Sequence, residues 1–223
     1  EDIWPEAVAY LNYHDFDAVI MDGDMLDYSS HSNMTYFRAG LNELKYAPDQ
    51  ILYLRADHDY GAFYGESLTQ ETVYEMHREL DGDAVDEKYL DFGEFRIVGI
   101  NDSTHNVPAE NIDTYMDMIQ CDKPVIVVTH VPYGSNVDFS IHDVSMEVRN
   151  CEYYWGGDYK ADEHTMRLMS YVFSDDTNVV QVLAAHLHAS WDGMISNKVS
   201  EHIFSPLFRG NIGIVHIVPA KES

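Results

Sequence analysis

The opening residues Glu1 to His14 place apolar side chains at Ile3, Ala7, Tyr10 and Leu11, the i, i+4, i+7, i+8 stripe of an amphipathic helix, with Pro5 tolerated in its first turn. The period then changes. Ala18 to Met21 is a short apolar run stopping at Asp22-Gly23-Asp24, which predicts a buried strand that empties into a polar loop. The alternation recurs, with a helix over Asn33 to Leu44, a strand over Ile51 to Leu54, a helix over Thr69 to Leu80 and a strand over Phe95 to Ile100. A helix around Ala109 to Gln120, begun after Pro108, leads to a strand at Val125 to Val128. Over residues 134–162 the spacing dissolves into polar and aromatic residues with Gly156-Gly157, which predicts a long loop insertion. A helix from Glu163 to Phe173 and a strand from Val179 to Leu183 follow, and Ile203 to Val218 predicts one or two closing strands about a turn at Gly210-Asn211. Strands alternating with helices imply an α/β fold in which helices cover a sheet, and 223 residues suit one domain spanning 1–223.

Charge narrows the partners. The sequence has 39 Asp plus Glu against 13 Lys plus Arg, a formal net charge of −26, and such a surface repels phosphate backbones and argues against nucleic acid. A phosphorylated small molecule stays admissible, because bound divalent cations reverse the potential locally. No run of about 18 apolar residues and no basic segment followed by an apolar stretch is present, so a soluble chain, cytoplasmic or secreted and without a membrane span, is expected. Cys121 and Cys151 fit no zinc-finger or disulfide framework and read as two thiols or one bridge.

Four polar clusters sit where predicted strands end: Asp22-Gly23-Asp24-Met25-Leu26-Asp27, Ala56-Asp57-His58-Asp59, His130-Val131-Pro132 and His186-Leu187-His188. In an open α/β sheet the loops at the carboxyl ends of strands carry the ligands, so the clusters are expected on one edge. Alone, the carboxylate pair Asp22 and Asp24 reads as a solvated turn, and His130 as a satisfied strand-end histidine. His186 and His188 say more, because alternate residues of an extended segment face one side. Together the clusters supply mixed oxygen and nitrogen ligands of the kind that suits Zn, Mn or Fe.

The order and spacing of these clusters resemble the calcineurin-like metallophosphoesterase superfamily. Gly23-Asp24-Met25-Leu26-Asp27 resembles its G-D-x-x-D motif, Ala56-Asp57-His58-Asp59 its G-N-H-D, His130 its strand-end histidine and Ala185-His186-Leu187-His188 its G-H-x-H, over roughly residues 15–218. The resemblance implies a four-layer α/β sandwich with mixed sheets flanked by helices, and hydrolysis of phosphate mono- or diesters. It implies that Asp24 bridges two divalent metals, that Asp57, His130 and His186 complete one sphere, and that His188 serves the other. His58 would protonate the leaving oxygen, with Asp59 orienting its ring. This chain departs from the pattern at Asp57, where the family has Asn, and at Ala56 and Ala185, where it has Gly. The family's first motif, D-x-H, has no counterpart before Asp24. The domain is therefore expected to lack its first strand within these residues, and to hold at most one metal tightly where the family holds two.

Two other enzyme classes fail on sequence. The H-x-H pair is followed by Ala189-Ser190-Trp191 rather than the x-D-H of a metallo-β-lactamase, and no G-x-S-x-G marks a serine hydrolase. The surviving alternative is a degenerate phosphoesterase fold that binds metal or ligand without turnover. His14, His77, His164 and His202 are expected on the surface, whereas His31, His105 and His142 lie in loops able to flank the site, and Asn101 and Asp102 follow a strand and line the cleft. Tyr133, Tyr153, Tyr154 and Trp155 form either packing for the insertion or a wall for an organic group.

Overall fold

A computed structural model describes residues 3–61, 68–81 and 87–218. Helix α1 (Ile3–Tyr13) buries Trp4, Ala7 and Val8 against α2 (His31–Glu43), which Ser30 caps by accepting the Asn33 N–H. The two helices approach closely at Gly40, where a Cβ would lie 2.2 Å from Nε1 of Trp4. Glu1 and Asp2, included in the expected helix, lie outside the described residues. Strands β1 (Val19–Asp22) and β2 (Ile51–Leu54) pair in parallel. A single helical turn, α3 (Asp57–Tyr60), follows β2, and α4 (Gln70–Asp81) leads to the second sheet.

That sheet is built from β3 (Glu87–Asp91), β4 (Arg96–Ile100), β5 (Val125–Thr129), β6 (Val179–Ala184), β7 (Trp191–Met194) and β8 (Ser200–Ile203), in the order β3-β4-β5-β6-β8-β7. Its central strands are parallel and its two outer pairings antiparallel. Central strands are apolar on both faces, because each face meets a layer. Val125, Val127, Val182 and Ala184 point into a core with α5 (Ile112–Ile119) and α7 (Glu163–Val172). Ile126, Val128 and Leu183 point the other way, to Leu52 and Leu54 of β2. Beyond β1 and β2, Met21 and Tyr53 pack with Phe37, Met34 and Met76 from α2 and α4. The layers thus run helix, sheet, sheet, helix, the sandwich expected.

Two expectations are corrected, and one strand, β3, is added. The 134–162 segment contains α6 (Ser140–Arg149); its N-cap residue is Phe139, whose side chain cannot cap, so the helix leaves a weak start signal in sequence. The closing strands are β7 and β8, earlier than expected. Residues 211–218 form no strand, and Ile212, Ile214, Val215, Ile217 and Val218 stay exposed. Strand β3 gave no apolar alternation, because Lys88 and Glu87 sit on an antiparallel edge. Among the described residues no helix is long and apolar enough to cross a membrane, and both cysteines are free.

Candidate metal centre

Parallel register brings the strand ends level, with Asp22 opposite Leu54, Ile100 opposite Thr129, and Thr129 opposite Ala184. The loops that leave these ends converge. Gly23 makes this possible: its φ is +74°, and a Cβ there would lie 2.7 Å from Cβ of Ala56 and 2.8 Å from Nδ1 of His130. Ala56 has φ −122°, an ordinary angle for a residue with a side chain, and Ala185 is not among the left-handed residues. Neither alanine therefore strains the loop it occupies.

Four of the five expected ligands meet. Asp24, Asp57, His130 and His186 each offer one atom, all within 4.8 Å of one another. His130 is fixed by the Asp22 carbonyl, 2.6 Å from its Nδ1, which turns Nε2 to within 3.1 Å of Oδ2 of Asp24. A ring that donates from Nδ1 to a backbone carbonyl presents the Nε2 lone pair to a cation. Asp102 holds the loop from beneath, accepting the His130 and Val131 N–H groups at 3.3 and 2.7 Å, and is buried rather than lining the cleft. Arg149 donates to the carbonyls of His186 and Leu187, and Tyr153 stacks on the His186 ring at 4.2 Å. Tyr133 and Trp155 are core residues and form no wall.

His188 is outside the group. Its ring packs edge-on against Phe208, with centroids 5.1 Å apart. The alternation argument fails because the segment is not extended: His186 and His188 have φ of 56° and 61°. Asp59 also departs from expectation. In one helical turn successive side chains diverge by about 100°, so Asp59 cannot face His58; it accepts the N–H groups of Leu26 and Ala56, each at 3.0 Å. The His58 ring is held instead by the Asp27 carbonyl, 2.9 Å from Nδ1. His77 is buried rather than superficial, its Nε2 2.6 Å from the Asp59 carbonyl. His105, from the loop after β4, reaches to 3.4 Å from Oδ2 of Asp57, and Tyr159 places its hydroxyl 3.0 Å from Nε2 of His186. Tyr159 carried no sequence signal, since its loop joins the site only through tertiary packing.

The donor set fits a divalent cation. Oδ1 of Asp57 is buried without a hydrogen-bond partner, which is costly unless something else meets it. Burial disfavours the charged form of His130, but Asp24, Asp22 and Asp102 outweigh it and lift its pKa to about 10. An imidazolium is what a carboxylate cluster demands without a cation, and a bound cation takes its place and leaves the ring free to ligate. Burial, with the charge of His130, drives His186 to about 2, so that ring is already neutral. Burial raises Asp57, yet His105 and His186 bring it to about 2, so it is ionised. For His58, burial is outweighed by the Asp27 carbonyl and by Asp24, Asp57 and Asp27, and its pKa lies above the usual imidazole range.

No family model matches the sequence, and no curated protein matches it. Solved structures do match the fold. A dimetal phosphatase from Danio rerio superposes with a TM-score of 0.53 at 12% identity, over 92% of this chain and 77% of that one. The TT1561 protein of Thermus thermophilus gives 0.51 at 16% identity, over 92% and 84%. A Staphylococcus aureus protein described as a putative 5'-nucleotidase gives 0.52 at 12% identity, over 92% of this chain and 43% of that one. At these identities the likeness establishes the fold, that of the metallophosphoesterases, with a candidate metal cluster at its strand ends.

Proposed function

We propose that this chain is a metal-dependent hydrolase of small phosphate esters. The observation that carries the reading is the convergence of two carboxylates and two imidazoles within 4.8 Å, with the half-exposed His58 beside them. When bound, a divalent cation supplies positive charge against a phosphoryl group and makes water nucleophilic near neutral pH. The chain's own residues do the rest. Asp24, Asp57, His130 and His186 hold the cation, and the His58 N–H directed at Oδ1 of Asp24, 3.3 Å away, fixes that carboxylate. With Nδ1 donated to Asp27, the imidazolium of His58 offers its Nε2 proton to the leaving oxygen, and its raised pKa keeps that proton available. Mn, Zn and Fe all suit this oxygen and nitrogen set.

A protein that holds metal without turnover is the second reading, favoured by the position of His188 outside the group and by the single such cluster among the described residues. Metal analysis combined with hydrolysis of p-nitrophenyl phosphate and its bis ester separates the two. Turnover that depends on added metal, and that falls by roughly 10² to 10⁴ in His58→Ala with metal retained, supports the hydrolase. Bound metal with no turnover of either ester would leave only the second reading.

A further inference from the structure

We propose that His105 is a positioning residue that locks the carboxylate of Asp57 as a ligand, an inference that rests on the metal-cluster reading above. A carboxylate giving one oxygen to a cation has a second oxygen to satisfy, and ligands lacking such an anchor swing and lose affinity. In Asp57 the two oxygens are differentiated. Oδ1 is buried without a partner, and Oδ2 faces Nε2 of His105 at 3.4 Å. That separation exceeds a made hydrogen bond, and Nε2 of His105 is itself buried and without a hydrogen-bond partner among the described residues. The two atoms face each other at ion-pair distance, and a small turn of either side chain completes the bond.

Nε2 is enclosed, so substrate does not reach it; His105 acts through Asp57. Its Nε2 also falls outside the four-atom group, so it is not a fifth ligand. The backbone is built to aim the ring. His105 has φ of 61°, a left-handed conformation that is uncommon for any residue but glycine. It is held there from both sides, its N–H donating to the Asp102 carbonyl at 2.7 Å and its carbonyl accepting from Nε1 of Trp155 at 2.8 Å. Tyr159 meets the ring edge-on at 4.6 Å and stops it from turning away. A loop pinned to the core in this manner fixes the ring, the ring fixes Oδ2, and Oδ1 is left for the cation.

The test is metal affinity of the full chain, measured for Mn²⁺ by calorimetry and for Zn²⁺ by competition with a chromogenic chelator. His105→Asn removes the reach yet tolerates the left-handed backbone, and His105→Gln restores a donor near the position of Nε2. Near-UV circular dichroism checks that the Trp155 environment persists. His105→Asn is expected to weaken binding about 10- to 100-fold, and His105→Gln to stay within about threefold of the wild type because its amide supplies an N–H near the position of Nε2. The visible spectrum of the Co²⁺ form should keep its band positions in both, since the ligands are unchanged. Equal affinity of His105→Asn and wild type overturns the inference while leaving the cluster intact. A shifted Co²⁺ spectrum in His105→Asn makes His105 a ligand and also overturns it. A wild type that binds neither metal removes the cluster reading itself.

Discussion

Metal binding should expel one proton, and that proton should come from His130. The imidazole sits at about 10 because burial is outweighed by Asp24, Asp22 and Asp102, whereas His186 and Asp57, each at about 2, are already in their ligating forms. Of these three, His130 alone must change state. Holding the neutral ring at a pH of about 7.5 against a pKa of about 10 costs about 3 kcal/mol of binding free energy, and each further pH unit returns a factor of about ten in affinity. The sign is opposite for the metal-free fold. A folded pKa above the unfolded value stabilises fully below about 6.5, and that contribution is lost as pH rises through about 10. The assay is calorimetric titration of Mn²⁺ at pH values of about 8 to 9, at least about one unit above Asp102 and Asp59, raised by burial to about 6 and about 7, with Asp22→Asn as a control because burial raises that carboxyl as well. Buffers of different ionisation enthalpy give the proton count directly. A His58→Ala background removes the other raised imidazole. The expected result is about one proton released and a log affinity that rises by about one per pH unit, with both reduced towards zero in His130→Asn. A flat pH dependence in the parent, or a slope of one that survives in His130→Asn, refutes the reasoning.

Turnover should fall as pH rises through the His58 pKa, because the acid form is lost, and kcat/KM profiles of wild type and His58→Gln check this by the disappearance of the basic limb. Asp24→Asn should weaken metal binding by at least about 100-fold, the scale of losing a ligand rather than its support, whereas His188→Asn, whose ring packs on Phe208 outside the group, should change it less than about threefold; elemental analysis after desalting compares them. Gly23→Ala should cost about 2 to 4 kcal/mol in denaturant unfolding, by left-handed strain plus overlap with His130 and Ala56, and should lower metal affinity with it. An unfolding midpoint and metal affinity that both match wild type would remove Gly23 from the argument.

The layers were legible because their causes are local in sequence. Val125 to Val128 is apolar throughout because both faces of β5 are covered, and Asp22-Gly23-Asp24 marks the end of β1 because the chain must turn there. The cluster was legible as a set of strand ends, since parallel register aligns whatever follows each strand. Side-chain direction within the loops was not. Asp59 follows His58 in sequence, but the helical turn sends it to the N–H groups of Leu26 and Ala56. His77 lies on an amphipathic helix with polar neighbours, and only the packing of α4 against α3 brings it to the Asp59 carbonyl. The contact of Tyr159 with His186, 27 residues away, depends on tertiary packing, so no local period announces it.

Backbone conformation supplies evidence that owes nothing to motif resemblance. Among the described residues five that are not glycine have positive φ: Asp24, His105, Asn150, His186 and His188. Asn150 is the left-handed cap that ends α6, a role asparagine fills at little cost. Of the other four, Asp24 and His186 belong to the cluster and His105 reaches Asp57, and each left-handed residue costs on the order of 1 kcal/mol relative to a relaxed backbone. Glycine would relieve that strain but would remove the carboxylate or imidazole. The residues that keep it include two of the four atoms' owners in the cluster, Asp24 and His186, and the proposed anchor His105. Strain retained where a glycine would be cheaper means that the side chains are worth more than the backbone relaxation, and the contacts of Asp24 with His58 and His130 and of His186 with Tyr159, together with their place in the cluster, give that worth a physical source. The same logic puts His188 near the site but not in the group: its backbone is strained like its neighbours', while its ring faces Phe208.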